Sequence, residues 1–223
     1  MEFFLDTADI SAIKELDEFL TIDGVTTNPT ILSSSGKEPK EFFDELIDVL
    51  DEDQKIIAQV ISTDYDGIMA EARELSQLRD GKNIVVKIPV TRTGMKAIKA
   101  AKAEGICILA TGIYSPDQAF LAAKNGADYL APYVNRMDNY GNGVEQVVEL
   151  VHTLANYGMD SKVCAASFKN VSQVHQLIAA GVPSITINPG VVRAMIDHPG
   201  TGIAMEQFNT DWENAYGRNT LYA

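Results

Sequence analysis

Cysteine and histidine are both scarce in this sequence of 223 residues. The two cysteines, Cys107 and Cys164, each lie inside an apolar segment, GICILAT and KVCAAS. Neither belongs to a Cys/His cluster with metal-ligand spacing, so the pattern predicts two buried reduced thiols, no metal site and no cofactor. The three histidines, His152, His175 and His198, fall in predicted helices or in the loop after one, which favours structural or surface roles.

Positive charge is also in short supply, with 18 Lys and Arg against 31 Asp and Glu and a formal net charge of −13. This balance argues against nucleic acid and anionic membranes as partners, and a small anionic substrate would need a local basic pocket. No apolar run reaches the roughly 20 residues that span a bilayer. The first residues, MEFFLDTADI, lack the basic region of a signal peptide, so the expected location is cytoplasmic.

Short apolar segments alternate with amphipathic helical segments along the whole chain. The predicted strands are 2–6, 24–27, 56–61, 84–89, 107–111, 129–133, 162–167 and 184–188. The predicted helices between and after them are 9–20, 39–51, 65–79, 93–104, 116–125, 142–157, 171–180 and 189–197. No GxGxxG or GxxxxGK[ST] segment follows any strand, which argues against nucleotide binding.

Eight consecutive β/α units predict one α/β domain over residues 1–223, a (β/α)8 TIM barrel. An open, doubly wound parallel sheet remains the alternative, because alternation alone does not establish closure. An additional C-terminal helix over 202–217 places Met205, Phe208, Trp212 and Ala215 on one face. That face either closes the outside of its own barrel or packs on a neighbouring subunit.

In such barrels the active site lies at the C-terminal ends of the strands. The polar residues at those ends are Asp6, Thr26, Thr27, Asn28, Gln59, Lys87, Thr111, Tyr133, Asn135, Arg136, Ser167, Lys169 and Asn188. Lys87 stands out because it interrupts the apolar strand IVVKIPV. Unless its amine simply reaches solvent at the strand end, a low-dielectric site favours the neutral amine, which can attack a carbonyl and form a Schiff base without a metal.

Other strand ends supply groups that suit a sugar phosphate. Asp6 is either a helix N-cap or a proton shuttle, and the better placement of Asp9 for the cap favours the catalytic role. Thr26 and Asn28 can hold a polyol, although Asn-Pro is also a turn signal. The basic and hydroxyl groups after strands six and seven predict a phosphate site; they are Arg136, Ser167 and Lys169.

The segments DTAD, GVTTNPT, AQV, VVKIPVT, APYVNR and AASFKN, in this order and spacing, resemble those of the transaldolase family. The resemblance runs from Met1 to about Arg218 and is greatest to the short branch that contains fructose-6-phosphate aldolase. It implies that Lys87 is the Schiff-base lysine and Asp6 the acid/base group. It further implies that substrate hydroxyls contact Thr26, Asn28 and Thr111 and that phosphate contacts Arg136, Ser167 and Lys169.

Four positions bear on the choice within that family. Transaldolases usually carry glutamate at Gln59, asparagine at Leu109, serine at Ala131 and phenylalanine at Tyr133, and all four departures match the aldolase pattern. A glutamine can position water but cannot deprotonate it, whereas a tyrosine hydroxyl can exchange a proton with the sugar C4 oxygen. We therefore count Gln59 and Tyr133 among the predicted catalytic residues.

These residues favour a reversible class I aldolase that splits fructose 6-phosphate into dihydroxyacetone and glyceraldehyde 3-phosphate. A transaldolase of the pentose phosphate pathway that uses the same lysine is the second hypothesis, and a catalytically silent sugar-phosphate-binding barrel is the third. The expected partners are sugar phosphates, hydroxyketones and other copies of this chain. The resemblance implies a homo-oligomer, a decamer of two five-membered rings with exchanged C-terminal helices.

Overall fold

The computed structural model describes residues 1–222, in which eight parallel strands close into a barrel in sequence order. The strands are β1 (Glu2–Asp6), β2 (Gly24–Thr26), β3 (Lys55–Gln59), β4 (Ile84–Pro89), β5 (Ile108–Ile113), β6 (Tyr129–Pro132), β7 (Lys162–Ala165) and β8 (Ser184–Ile187). Closure comes from β1, which pairs with β2 on one side and with β8 on the other. The TIM-barrel prediction is confirmed, and the open-sheet alternative is wrong.

Helices follow the strands and cover the barrel. They are α1 (Ile10–Asp17), α2 (Pro29–Ser34), α3 (Pro39–Val49), α4 (Tyr65–Ser76), α5 (Arg92–Ala103), α6 (Pro116–Lys124), α7 (Val134–Met137), α8 (Gly143–Asn156), α9 (Val171–Ala179), α10 (Pro189–Ile196) and α11 (Pro199–Tyr216). None of these helices, all within residues 1–222, has both the length and the apolar character needed to cross a membrane.

The strands have two apolar faces, and the pleat of each strand decides which residues enter the barrel. In β4, Val86 and Ile88 belong to the outer core under the helices, whereas Val85 belongs to the inner core. Lys87, two residues after Val85, therefore points into the barrel. The inner core also contains Phe4, Ile57, Leu109, Tyr129, Ala131, Cys164 and Ala166. This packing fills the middle of the barrel.

A polar cluster lies at the N-terminal end of the barrel. The Glu2 carboxylate contacts the amines of Lys55 at 3.1 Å and Lys162 at 3.2 Å, and it accepts a hydrogen bond from the Tyr129 hydroxyl at 3.0 Å. Burial acts to raise the pKa of Glu2, but the hydrogen bonds from Lys55 and Tyr129 outweigh it and lower the pKa below 4.5. Since charged pairs occupy this end and the inner core fills the middle, a substrate would enter from the C-terminal end.

Several predicted boundaries are wrong, and each has a local cause. Strand β3 ends at Gln59 rather than at 61, because the Ile61 and Ser62 N–H groups donate to the Glu71 carboxylate of α4. Strand β7 ends at Ala165 rather than at 167, and Ser167 has a left-handed backbone with φ 61°. Extended pairing cannot continue through that conformation.

Other differences concern helices. Helix α4 ends at Ser76 rather than at 79, because the backbone at Arg79 is left-handed with φ 50°. Two short helices, α2 and α7, were not predicted, since six and four residues carry too little periodicity to detect. Helix α5 begins close to the end of β4, where a Cβ on Gly94 would lie 1.8 Å from the Pro89 carbonyl oxygen. Only glycine fits there.

Helix α11 does not cover its own barrel. It begins three residues before the predicted start, at Pro199, and none of its residues is buried. Met205 and Phe208 are 50% and 62% exposed. The alternative in which this helix closes the outside of its own barrel is therefore wrong for the single chain.

Candidate active site

Lys87 is the most deeply buried charged group at the C-terminal half of the barrel. Its side chain points into the interior from β4, the residue is 3% exposed, and Nζ donates to the Thr27 carbonyl oxygen at 3.2 Å. A backbone carbonyl accepts a hydrogen bond from either form of the amine, so the contact orients Nζ without requiring the charged form. The arrangement provides an enclosed primary amine in contact with the end of β2.

Gln59 is the neighbour of Lys87 on the adjacent strand. The two residues are direct Cα partners in the β3–β4 register, so their side chains emerge on the same face. Gln59 Oε1 is buried and has no hydrogen-bond partner among the residues that the structure describes. A buried acceptor without a partner is costly, and water or a substrate hydroxyl beside Lys87 would satisfy it.

Asp6 ends a chain of hydrogen bonds that crosses three strands. The Thr26 hydroxyl donates to Asp6 Oδ1 at 2.8 Å, and it lies 2.6 Å from the hydroxyl of Thr186 on β8. A hydroxyl has a single proton, so Thr186 is the donor to Thr26. Asp9, as expected, caps α1 by accepting from Ser11 N at 3.0 Å, which leaves the Asp6 carboxylate free for the barrel.

Asn28 has a structural role besides the one predicted for it. Its Oδ1 accepts from Ile31 N at 3.0 Å and caps α2, with Pro29 in the first helical turn. The side-chain amide N–H groups are not used by that cap. Asn28 also lines a cleft of about 520 Å³ together with Thr27 and Gln59. The Asn28 amide N–H groups, which the cap does not use, remain available for the predicted contact with substrate.

Tyr133 occupies the opposite side of the barrel mouth, directly after β6. Its hydroxyl lies 3.1 Å from the hydroxyl of Thr111, which is buried within β5. The Arg136 guanidinium stacks over the Tyr133 ring, with Cζ 4.8 Å from the centroid, and donates to the Tyr114 hydroxyl at 3.3 Å. The hydrogen bond to Tyr114 raises the pKa of Arg136, so the guanidinium stays cationic.

The remaining predicted phosphate ligands lie on the loop from β7 to α9. Ser167 is half-buried with φ 61°, and its carbonyl oxygen accepts from Asn135 N at 3.1 Å. A serine in the left-handed region is strained by about 1–2 kcal/mol. Lys169 is exposed, and its backbone N–H donates to Gln173 Oε1 at 2.8 Å. Together with Arg136, these side chains form the cationic and hydroxyl-bearing rim of the barrel.

A second cleft, of about 790 Å³, opens beside Asp6 between α1 and α2. It is lined by Thr7, Lys14, Thr30 and Asn188 among others. Asn188 caps α10 through a bond from Val191 N at 3.1 Å, so this polar strand-end residue has a helix-starting role. Solvent therefore reaches the barrel mouth next to the Asp6 carboxylate.

The thiols are unsuited to nucleophilic chemistry. Both cysteines are free; Cys164 is buried as predicted, whereas Cys107 is only half-buried. Burial raises the pKa of Cys107 to about 11 and that of Cys164 to about 12, so both are protonated at neutral pH. Within residues 1–222 no group of three or more His, Cys, Asp or Glu side chains could hold a metal ion.

Three residues that contact the predicted site were missed in the sequence. Thr186 alternates with Ser184 on the inward face of β8, a signal visible as two hydroxyl residues two apart in an apolar strand. Tyr114 follows β5 directly and could have been found as a strand-end residue. Gln173 lies in the first turn of α9, where no strand-end argument reaches it.

One comparison with known proteins bears on this arrangement. The family model described as transaldolase/fructose-6-phosphate aldolase matches residues 3–220. The match includes β2 to β8, β1 except Glu2, and every residue of the barrel mouth named above.

The hydrogen bonds from Thr186 to Thr26 and from Thr26 to Asp6 can be tested by a double-mutant cycle. Thr26→Val leaves Asp6 and the Thr186 hydroxyl unpaired and should lower the free energy of unfolding by about 1–3 kcal/mol. Thr186→Val alone should cost about 1 kcal/mol. Added to Thr26→Val, however, it should be neutral or stabilising, since it removes an unpaired buried hydroxyl. Urea unfolding measures the free energy of unfolding of the unmodified protein, the two single variants and the double variant, with Thr210→Val on exposed α11 as the control. If the two single effects simply add in the double variant, the chain of hydrogen bonds is refuted.

Proposed function

The chain belongs to the transaldolase/fructose-6-phosphate aldolase family, and we propose that it is a Schiff-base aldolase that reversibly splits fructose 6-phosphate into dihydroxyacetone and glyceraldehyde 3-phosphate. The observation that carries this proposal is the amine of Lys87, 3% exposed inside the barrel and beside the Gln59 side chain. An apolar strand has no structural need for a lysine at this position.

The reaction begins at the ketone carbon. The neutral Lys87 amine adds to C2 of the sugar and forms a carbinolamine, which loses water to give an iminium. Asp6 supplies and withdraws the protons that this dehydration and the later hydrolysis require. The hydrogen bond from Thr26 at 2.8 Å holds the Asp6 carboxylate in place. The unpaired Gln59 Oε1 accepts from the water that leaves and returns.

Cleavage follows at the C3–C4 bond. The C4 hydroxyl gives its proton to the Tyr133 oxygen while the Tyr133 hydroxyl releases its own proton to solvent water. The C3–C4 bond breaks, and the electron pair of that bond flows into the iminium to form an enamine. Glyceraldehyde 3-phosphate leaves as the aldehyde. Protonation of the enamine at C3 and hydrolysis of the imine then release dihydroxyacetone and restore Lys87. The Thr111 hydroxyl, 3.1 Å from the Tyr133 hydroxyl, provides a hydrogen-bond partner for that proton transfer.

The phosphate lies at the rim in this proposal. Arg136 suits bidentate binding of a phosphate, and Ser167 and Lys169 add a hydroxyl and an ammonium from the neighbouring loop. Stacking of Arg136 on the Tyr133 ring places the phosphate anchor next to the group that acts at C4. A net charge of −13 over the whole chain makes this local cationic rim necessary for an anionic substrate.

The preference for aldolase over transaldolase rests on Gln59 and Tyr133. Release of free dihydroxyacetone requires water at the imine, and transfer requires that a second aldose arrives first. Tyr133 presents a hydroxyl where transaldolases usually have phenylalanine, and that hydroxyl can exchange the C4 proton. Gln59 positions water without acting as a base. Both features favour the lyase reaction.

Borohydride trapping tests the Schiff base. Incubation with dihydroxyacetone and borohydride should attach the reduced adduct covalently to Lys87, as located by peptide mass spectrometry. Lys87→Met should abolish the adduct, because it removes the buried amine inside the barrel. Lys96→Met, at an exposed lysine on α5, is the matched control and should trap normally. Equal trapping by Lys87→Met, or loss of turnover on adding EDTA, would disprove the mechanism.

Product analysis tests the choice between the two reactions. Fructose 6-phosphate should yield free dihydroxyacetone, and adding erythrose 4-phosphate should produce sedoheptulose 7-phosphate more slowly than that release. Tyr133→Phe should lower kcat for cleavage by about 10²-fold while borohydride trapping of dihydroxyacetone persists, because only the C4 proton transfer is lost. Transfer much faster than release in the unmodified protein would identify a transaldolase instead.

We also propose that the protein is a homo-oligomer in which α11 packs on a neighbouring copy, in line with the ring-shaped decamer that the resemblance implies. Support comes from Ile203, Met205 and Phe208, which are 69%, 50% and 62% exposed on one helix. Sedimentation velocity should show an oligomer, and Met205→Ser combined with Phe208→Ser should lower its mass. Asn209→Ser on the same helix should not, and a monomer at micromolar concentration would refute the proposal.

A further inference from the structure

Gln173 is buried in the first turn of α9, 8% exposed, and its carboxamide makes hydrogen bonds to two different loops. Oε1 accepts from Lys169 N at 2.8 Å, on the loop that follows β7. Nε2 donates to Asp138 Oδ2 at 2.9 Å and to Asn135 Oδ1 at 3.3 Å, on the segment that follows β6. One oxygen and both amide protons are thus used.

These two loops carry the cationic rim of the barrel. Arg136 lies between Asn135 and Asp138 in sequence, and Ser167 lies two residues before Lys169. Two backbone hydrogen bonds also join these loops beyond the strand ends, from Val134 N to the Ala166 carbonyl at 2.9 Å and from Asn135 N to the Ser167 carbonyl at 3.1 Å. The Gln173 side chain therefore ties the backbone on either side of Arg136 to the loop of Ser167.

We propose that Gln173 is a positioning residue that sets the separation of Arg136 from Ser167 and Lys169 and thereby determines the affinity of the site for the phosphate group of a sugar phosphate. This inference rests on the proposed function, since it concerns the phosphate end of the same site. Gln173 does not itself touch the reacting carbons. Its effect is expected on phosphate binding and not on imine formation at Lys87.

A second glutamine in the same helical position shows what is particular to Gln173. Gln118, in the first turn of α6, accepts from Tyr114 N at 2.8 Å, just as Gln173 accepts from Lys169 N. This shared bond closes the turn before a helix. Within residues 1–222 the side-chain nitrogen Nε2 of Gln118 makes no hydrogen bond to a neighbouring loop, whereas Nε2 of Gln173 makes two. The bonds from Nε2 are thus not explained by capping.

The two loops that Gln173 joins contain one strained residue, Ser167, and one residue that is fixed to a helix, Asp138. Ser167 is left-handed with φ 61°, a conformation that persists for a non-glycine residue only when its surroundings fix it. Asp138 is itself fixed, since its Oδ1 accepts from Gly143 N at the start of α8 at 2.8 Å. Phosphate binding needs donors on both loops to converge on one group, so a shift of either loop weakens binding.

The decisive experiment compares acceptors with and without phosphate. Gln173→Leu keeps the approximate volume and removes all three hydrogen bonds. With dihydroxyacetone as donor, KM for glyceraldehyde 3-phosphate should rise about tenfold, whereas KM for glyceraldehyde and the borohydride adduct at Lys87 should change less than twofold. Gln176→Leu, on the exposed face of α9, is the matched control and should change neither KM.

A reversal of hydrogen-bond direction separates positioning from a merely structural role. Gln173→Glu places a carboxylate next to Asp138 and should raise KM for glyceraldehyde 3-phosphate as Gln173→Leu does. Adding Asp138→Asn supplies an amide donor in place of the carboxylate acceptor, so the double variant should recover most of the phosphate affinity. These two proteins also decide the question if Gln173→Leu fails to fold in a thermal melt.

Equal increases in KM for both aldehydes, an unchanged KM for glyceraldehyde 3-phosphate, or no recovery in the double variant would overturn the proposal. Failure of the proposed function is distinguishable from these outcomes. If the unmodified protein neither traps dihydroxyacetone nor cleaves fructose 6-phosphate, calorimetric titration with inorganic phosphate still tests Gln173. Weaker binding by Gln173→Leu than by Gln176→Leu would support the positioning role, and equal binding would reject it.

Discussion

The pairing of β1 with β8 is the constraint on which the rest of this molecule depends. It joins Glu2 to Ser184 and Leu5 to Ile187 in a parallel register that closes the sheet. Once the barrel is closed, alternate residues of each strand face the interior. A slip of one residue in β4 would exchange its two faces and turn Lys87 towards the helices. Closure therefore decides where the only buried lysine of the described chain lies.

The polar groups in the barrel mouth are held by neighbours from other strands rather than by their own loops. Thr186 donates to Thr26, and Thr26 donates to Asp6, so β8, β2 and β1 share one chain of hydrogen bonds. Lys87 on β4 reaches the carbonyl of Thr27 after β2. Such contacts restrict the orientation of each side chain before any substrate arrives, which is how an enzyme lowers the cost of aligning reacting groups.

The mouth of the barrel has an interior end and an outer rim. In the proposed function, Lys87, Gln59 and Asp6 form an interior end for carbonyl chemistry, and the rim after β6 and β7 binds an anion. Tyr133 joins the two, because its hydroxyl meets Thr111 and its ring carries the Arg136 guanidinium. Family membership covers both aldolases and transaldolases. The proposed choice between them rests on Gln59 and Tyr133.

The sequence by itself determined the β/α alternation, the strands β1 and β4 to the residue, and Lys87 as the unusual group in an apolar strand. These features follow from local periodicity and from the cost of burying a charge. Only the tertiary structure decided closure, the hydrogen bond of Thr186 to Thr26, the two loops joined by Gln173, and the exposure of α11. Periodicity reports which face of a segment is buried, but not which distant segment covers it, and each of these features depends on a partner far away in the chain.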